Sequence, residues 1–77
     1  MLHKERVVYS FSTTSEAMKA EKIFLSNGAP GGIIPLPSKI AAGCGLAWTV
    51  DKDKAQLCDE VIEKSDINVD KRSEIFL

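Results

Sequence analysis

The two cysteines are the residues of this chain whose chemistry is most distinctive, and they lie in different kinds of segment. Cys44 stands between Gly43 and Gly45, where side-chain cover is minimal and the backbone is free to take positive φ. Such a thiol is expected to face solvent or a partner, and as a thiolate it would be a nucleophile. The alternative is a tight turn that contains a small residue, and the local sequence leaves both open. Cys58 lies on the apolar stripe of a predicted helix, which indicates a small core residue.

The charge around Cys44 decides how much of its thiol is ionised. An ordinary cysteine, with a pKa of about 8.5, is only to a minor extent thiolate at neutral pH. Lys39, five residues upstream, could supply positive charge, or it could be a solvated loop lysine. The N–H groups of Gly45 and Leu46 could also donate to the sulfur. No second thiol forms a C-x-x-C motif with Cys44, which argues against a thioredoxin-type reductase.

The remaining reactive side chains form no self-contained enzyme site. His3 is the only histidine and lies near the N-terminus, so a Ser-His-Asp triad is excluded. Its spacing from Cys44 and Cys58 matches no zinc-ligand pattern, and the phosphate-loop pattern is missing, so we expect no metal and no cofactor. One hydroxyl-rich segment could bind an anion or simply cap a helix, and it comprises Ser10, Ser12, Thr13 and Thr14.

Composition argues against several classes of protein. The chain has 77 residues, of which 44% are apolar, and we assign residues 1–77 to a single small domain. The net charge is −1, without the stripe of Lys and Arg that a nucleic-acid-binding face needs. No apolar run has the length of a signal peptide or of a membrane span. Together with two distant cysteines, these features predict a cytoplasmic protein.

The first half of the chain predicts a strand followed by a helix. Residues 7–11 are rich in β-branched and aromatic side chains, and period-two spacing places Val7, Tyr9 and Phe11 on one face. A capping box, Thr13-x-x-Glu16, opens the helix, and Asn27-Gly28 closes it. The apolar stripe of this helix comprises Ala17, Ala20, Ile23 and Phe24, with Met18 and Leu25 at its margin.

The second half predicts three strands and one helix. Residues 32–37 begin as a strand, and Pro35, which lacks an N–H, assigns it to an edge of a sheet. After a loop or single helical turn, residues 46–50 form an apolar and therefore central strand that includes Trp48. A helix follows from about residue 53 to residue 65, and a last strand lies within residues 69–77. The buried face of this helix comprises Ala55, Cys58, Val61 and Ile62.

The order β-α-β-β-α-β predicts a ferredoxin-like α+β sandwich, with an antiparallel sheet and both helices on one face. The first and third strands then occupy the centre of the sheet, and the second strand lies at an edge. Because a small sheet leaves unpaired backbone groups at its edges, we also expect a homodimer formed through one of them.

Four spaced motifs resemble the selenium/sulfur carrier-like protein family, long classified as a domain of unknown function. The motifs are Phe11-Ser12-Thr13-Thr14, Glu16-Ala17-Met18-Lys19-Ala20-Glu21-Lys22, Ile34-Pro35-Leu36-Pro37 and Gly43-Cys44-Gly45-Leu46-Ala47. The resemblance implies that Cys44, in the Cys-Gly-Leu motif, carries sulfur or selenium from a donor such as a cysteine desulfurase to an acceptor protein. The chain has Thr14-Ser15 where the family often has His, and Ser38 followed by Lys39 where the family often has Arg, so Lys39 is the candidate replacement.

Three classes of function remain open on these observations. A sulfur or selenium carrier, which we favour over an enzyme, requires a reactive Cys44. A ligand-binding module requires a ligand effect on melting that survives Cys44→Ser. A protein-interaction subunit requires neither.

Overall fold

The computed structural model describes residues 4–37, 40 and 45–76. Within these residues the chain forms four strands and two α-helices, the second of which follows a short 3₁₀ turn. In chain order they are β1 (Glu5–Ser10), α1 (Thr14–Ser26), β2 (Gly32–Pro35), β3 (Leu46–Asp51), the 3₁₀ turn (Lys52–Lys54), α2 (Ala55–Lys64) and β4 (Lys71–Phe76). The predicted α+β class is confirmed.

The strands form one antiparallel sheet in the order β2-β3-β1-β4. Strands β1 and β3 are central and almost entirely buried, as their apolar sequences predicted. Strand β2 lies at an edge of the sheet and ends at Pro35. Because an edge strand pairs with only one neighbour, the absence of the proline N–H is best tolerated there. Strand β4 forms the other edge.

Helix α1 begins and ends at the residues that the sequence indicated. The hydroxyl of Thr13 accepts a hydrogen bond from the Glu16 N–H at 3.1 Å, which satisfies one of the unpaired donors at the helix start. Asn27 caps the other end, and Gly28 follows with φ of +67°. The capping prediction for the hydroxyl-rich segment is therefore confirmed at Thr13.

The main core lies between the helices and one face of the sheet. Both α1 and α2 pack on this face, through Phe24 and Cys58 respectively, against the predicted inward residues of β1 and Trp48 of β3. The buried members of this core are Val7, Tyr9, Phe11, Ala17, Ala20, Phe24, Trp48, Val50, Ala55, Cys58 and Ile67. Phe24 stacks on Trp48 with ring centroids 4.6 Å apart.

A second apolar cluster lies on the opposite face of the sheet. It consists of the buried residues Val8, Ile40 and Ala47, with Ile34, Leu36 and Ile75 packed against them, and we call it the Ile40 cluster. Ile40 belongs to the connection between β2 and β3, so that connection contributes to the cover of the face that the helices do not reach.

The last strand, β4, lies within the predicted range of residues 69–77. It begins at Lys71, and Val69 packs instead against the core on the helix face of the sheet. The charged residues that interrupt the apolar pattern belong to the strand because β4 is an edge strand whose side chains are largely exposed. No helix among the described residues combines the length and the apolar composition needed to cross a membrane.

Candidate functional site

The structure describes one of the predicted site residues and leaves the others outside the described ranges. Cys44, Gly43 and Lys39 lie outside the described residues, so their proposed roles stay predictions. His3 and most of the predicted loop over residues 38–45 lie outside as well. The structure does describe Gly45, the residue that follows Cys44.

Gly45 lies where the connection between β2 and β3 closes. It is exposed and has φ of +79°, a conformation that the glycines beside Cys44 allow and that residues with a side chain rarely adopt. Its carbonyl accepts a hydrogen bond from the Leu36 N–H at 2.8 Å. Among the described residues, a Cβ at Gly45 would meet no atom within 4 Å.

The start of β3 and the start of α1 lie at the same end of the sheet. Strands β1 and β3 are antiparallel, with Ser10 opposite Ala47, so the end of β1 lies beside the start of β3. Helix α1 begins at Thr14, directly after the end of β1. The N-terminus of a helix carries partial positive charge, which favours a nearby anion such as a thiolate. The topology thus brings the chain neighbour of Cys44 to the end of the sheet where α1 begins.

Cys58, the other thiol, is held in the core as the sequence predicted. Its side chain is 0% exposed, and its Sγ donates a hydrogen bond to the Pro30 carbonyl at 3.2 Å. The Trp48 indole N–H donates to the same carbonyl, also at 3.2 Å. Burial raises the pKa of the Cys58 thiol, with a smaller contribution from the charge of Asp59. Cys58 is therefore a buried, hydrogen-bonded core thiol whose surroundings disfavour the thiolate.

Sequence reasoning missed a polar network on the helix face of the sheet. The Tyr9 hydroxyl donates to Asp59 Oδ1 at 2.6 Å, and the Arg72 guanidinium donates to both oxygens of Asp59 at 3.2 Å. Burial and the Asp59 carboxylate raise the pKa of Tyr9. The three residues are far apart in the chain and match no motif, so no local pattern could have revealed the network. Because Asp59 of α2 accepts hydrogen bonds from both Tyr9 and Arg72, the network links β1, α2 and β4.

The described residues offer no second candidate for a chemical site. The Ser10 hydroxyl is buried and donates to the Lys71 carbonyl at 3.2 Å, so it has a structural partner. Among residues 4–37, 40 and 45–76, no group of His, Cys, Asp and Glu side chains could hold a metal ion.

Comparison with known proteins agrees with the resemblance that the sequence motifs suggested. Residues 6–73 match the model of one protein family, described as "Putative Se/S carrier protein-like". No curated protein matches the chain, and no solved structure matches it. The family match covers most of the chain and includes Cys44 and both helices. The chain therefore belongs to the Putative Se/S carrier protein-like family.

Proposed function

We propose that this protein carries sulfur or selenium on Cys44, as a persulfide or selenosulfide, between a donor and an acceptor protein. Membership of the carrier-like family supports the cargo. The observation that best supports Cys44 as the carrier thiol is the burial of Cys58, because the chain has only two cysteines and Cys58 lies in the core.

The transfer step needs only a thiolate and an accessible approach. The Cys44 thiolate attacks the outer sulfur of a donor persulfide, R–S–SH, and a new S–S bond forms as the bond between the two donor sulfurs breaks. The donor leaves as the thiolate R–S⁻, and the proton stays on the transferred sulfur. The same exchange in reverse delivers the cargo to an acceptor thiolate. The step involves no net oxidation, so the carrier needs no cofactor of its own.

Three features support the ionised form of Cys44 and access to it. Lys39 is the candidate cation that lowers the pKa of the Cys44 thiol. The N-terminus of helix α1 lies at the end of the sheet where β3 begins, and β3 begins two residues after Cys44 in the chain. Gly43 and Gly45 flank the thiol without side chains that would hinder a partner. A cysteine desulfurase is the proposed sulfur donor, and the acceptor is a second protein with a nucleophilic thiolate.

We also infer that the architecture is ferredoxin-like. The strand order β2-β3-β1-β4, read from the other edge as β4-β1-β3-β2, supports this inference, as does the packing of both helices on one face.

Persulfide loading by a cysteine desulfurase tests the function. The wild-type protein is expected to gain the mass of one sulfur atom, releasable by cyanide, whereas Cys44→Ser gains none and keeps a melting temperature close to that of wild type. Cys58→Ser is the matched control, because it removes the other thiol and should leave loading on Cys44 intact. Intact-mass analysis without reductant provides the measurement.

Two outcomes would contradict the proposal. Loading of Cys44→Ser would show that another group accepts the sulfur. A wild-type protein that accepts no sulfur, although iodoacetamide alkylates Cys44 in the fold, would favour a ligand-binding or interaction module without thiol chemistry.

A further inference from the structure

Strand β4 is an edge strand whose outer side pairs with no strand in the described part of the chain. The Asp70 N–H donates to the Ser10 carbonyl at 2.8 Å, so the backbone groups of Ser10 point toward β4. Ser10 lies opposite Lys71 in the register, and successive residues of a strand direct their backbone groups to alternate sides. Lys71 and every second residue after it therefore pair with β1. The residues that direct their N–H and C=O groups away from the sheet are Arg72, Glu74 and Phe76.

Two of these outward residues carry opposite charges on the same face of the sheet. Arg72 and Glu74 lie opposite Tyr9 and Val7 of β1, which both belong to the main core, so their side chains share the helix face. Within one chain the Arg72 guanidinium pairs with Glu74 Oε2 at 3.0 Å, and both side chains stay partly exposed. The outer edge of β4 thus presents one positive and one negative group beside free backbone donors and acceptors.

The order of these charges favours one register for pairing with an identical strand. A strand that pairs antiparallel with its own copy about a two-fold axis places one residue opposite itself. With Lys71, Arg72 or Glu74 at that position, like charges face each other, which is destabilising. With Ser73 there, Arg72 of each copy lies opposite Glu74 of the other, and opposite charges face each other twice. Ser73 also lies near the middle of β4, so this register pairs nearly the whole strand.

An exposed aromatic side chain and a groove of the same chain meet across this seam. Phe76, at the end of β4, is 60% exposed. A groove open to solvent lies between α2 and the start of β4, and its lining residues are Tyr9, Asp59, Ile62, Glu63, Val69 and Arg72. Within one chain Phe76 lies about 20 Å along the strand from Asp70, the residue next to Val69. In the register centred on Ser73, Phe76 of one copy lies opposite Asp70 of the other, beside this groove.

We propose that β4 is the contact surface for a second copy of this chain, in an antiparallel pair centred on Ser73. The pair joins two sheets into one of eight strands, with the helices of both copies on one side. Backbone hydrogen bonds between Arg72 and Glu74 of the two copies hold the seam, and their side chains form ion pairs across it. Phe76 of each copy covers the groove of the other. The inference does not depend on the sulfur chemistry of Cys44.

Cross-linking at Ser73 tests the register. Residues opposite each other without backbone hydrogen bonds between them have Cα atoms about 4.5 Å apart, within the reach of a disulfide. In a Cys44→Ser background, we expect Ser73→Cys to form a covalent dimer on mild oxidation. Lys71→Cys is the matched control on the same face, because its two copies are offset by about 13 Å along the strands, beyond the reach of a disulfide. Gel electrophoresis without reductant measures both.

Substitutions at the seam test the charges and the groove. Mass against concentration, measured by light scattering, gives the dissociation constant of the dimer. We expect Glu74→Lys, which places like charges opposite each other, to raise it by about 10-fold or more. Phe76→Ala should raise it by about 10-fold, because the side chain no longer covers the groove. The matched controls, Glu60→Lys on α2 and Leu25→Ala on α1, change an exposed residue away from the seam and should leave it unchanged.

These measurements can overturn the proposal in separate ways. A wild-type protein that stays a monomer at all accessible concentrations overturns it outright. A folded Ser73→Cys dimer that does not cross-link overturns the register, as does cross-linking of Lys71→Cys to the same extent. Equal weakening by Glu74→Lys and Glu60→Lys would show that net charge governs association and not the seam. If circular dichroism shows that Ser73→Cys does not fold, Glu74→Lys and Phe76→Ala decide the proposal without it.

Discussion

At Gly31, just before β2, the backbone passes close to β3. Its φ is +112°, and a Cβ at this position would collide with the carbonyl oxygen of Thr49 and lie 2.8 Å from Nε1 of Trp48. The neighbouring Gly32 has ordinary φ, and a Cβ there would meet nothing within 4 Å. Of these two adjacent glycines, only Gly31 therefore has to lack a side chain.

We therefore expect Gly31→Ala to destabilise the fold by about 3 kcal/mol or more, because backbone strain adds to a clash with main-chain atoms that cannot move aside. For a chain of this size, such a loss lowers the melting temperature by more than about 10 °C. Gly32→Ala is the control and should change stability by at most about 1 kcal/mol. Thermal unfolding followed by circular dichroism measures both, and similar melting temperatures for the two variants would contradict the prediction.

The sequence alone could not show which of the adjacent glycines, Gly31 or Gly32, must lack a side chain. The difference arises from the approach of β3, which is distant in the chain. Cys58 was predictable as a core residue, because helical periodicity alone places it on the buried stripe. Its hydrogen bond to the Pro30 carbonyl was not, since that partner lies in another element.

At the scale of elements, Asp59 links helix α2 to strands β1 and β4. It accepts hydrogen bonds from Tyr9 of β1 and from Arg72 of β4, the strand that contacts the rest of the sheet along only one side. Partial burial opposes ionisation of Asp59, but these hydrogen bonds outweigh it and lower the pKa of the carboxyl. The ionised carboxylate is thus the form that links α2 to both strands.

This network predicts an acid-sensitive fold. A carboxyl whose pKa is lower in the folded chain stabilises it fully above the unfolded pKa of about 3.9, and the stabilisation is lost as the pH falls through the folded value. We expect the melting temperature to decline below about pH 4 in the wild type. Asp59→Asn should melt several degrees lower at neutral pH and decline less steeply in acid.

Asp66→Asn is the control for this prediction. Asp66 pairs with Lys19 at 2.9 Å, but its side chain is 87% exposed, and such surface pairs contribute little to stability. An acid decline as steep in Asp59→Asn as in wild type would exclude Asp59 as a source of the pH dependence.

Local signals explain which elements were predictable. Helix α1 has a capping box at its start and an Asn-Gly signal at its end, so both bounds follow from nearby residues. The range predicted for the last strand contains β4 but left its start open, because β4 is defined by its pairing with β1, from Ser10 opposite Lys71 onward, and not by an apolar pattern of its own. Its run of charged residues has no local signature of a strand.

At the scale of the whole molecule, the sheet has two edge strands, β2 and β4, through which a second chain can pair. The two strands differ in length and in the number of backbone N–H groups that they offer. Strand β2 has four residues and ends in Pro35, whereas β4 has six residues and no proline. The homodimer expected from the sequence stays a prediction, and the structure favours β4 as its seam because β4 offers more unpaired backbone groups. Exposed Lys71, Arg72 and Glu74 provide charges of both signs along it.

Light scattering across the accessible concentration range tests this association. We expect a mass that rises from that of one chain toward that of two chains as the concentration increases. Because β4 is the expected seam, Ile75→Pro should hold the protein as a monomer, since the substitution disrupts the strand, and Ile34→Val in β2 should not. A constant mass of one chain for the wild type would exclude the dimer.

The carrier role of Cys44 stays a prediction from the sequence, because Cys44 lies outside the described residues. The positive φ of Gly45 shows only that the glycine after it uses the conformational freedom that the sequence allowed. The burial of Ile40 against Val8 and Ala47 depends on how the connection crosses the sheet, which no spacing in the chain records.

The stacking of Trp48 on Phe24 has a practical consequence for spectroscopy. Trp48 is the only tryptophan, and it lies on the helix face of the central strands, whereas Ile40 packs on the opposite face. Its fluorescence emission therefore reports on the packing of the helices, and it should shift to longer wavelength when they separate from the sheet. Changes confined to the Ile40 side leave that chromophore in the same apolar environment. Tryptophan emission thus provides an intrinsic optical signal for the integrity of the helix layer, separate from events on the other side of the sheet.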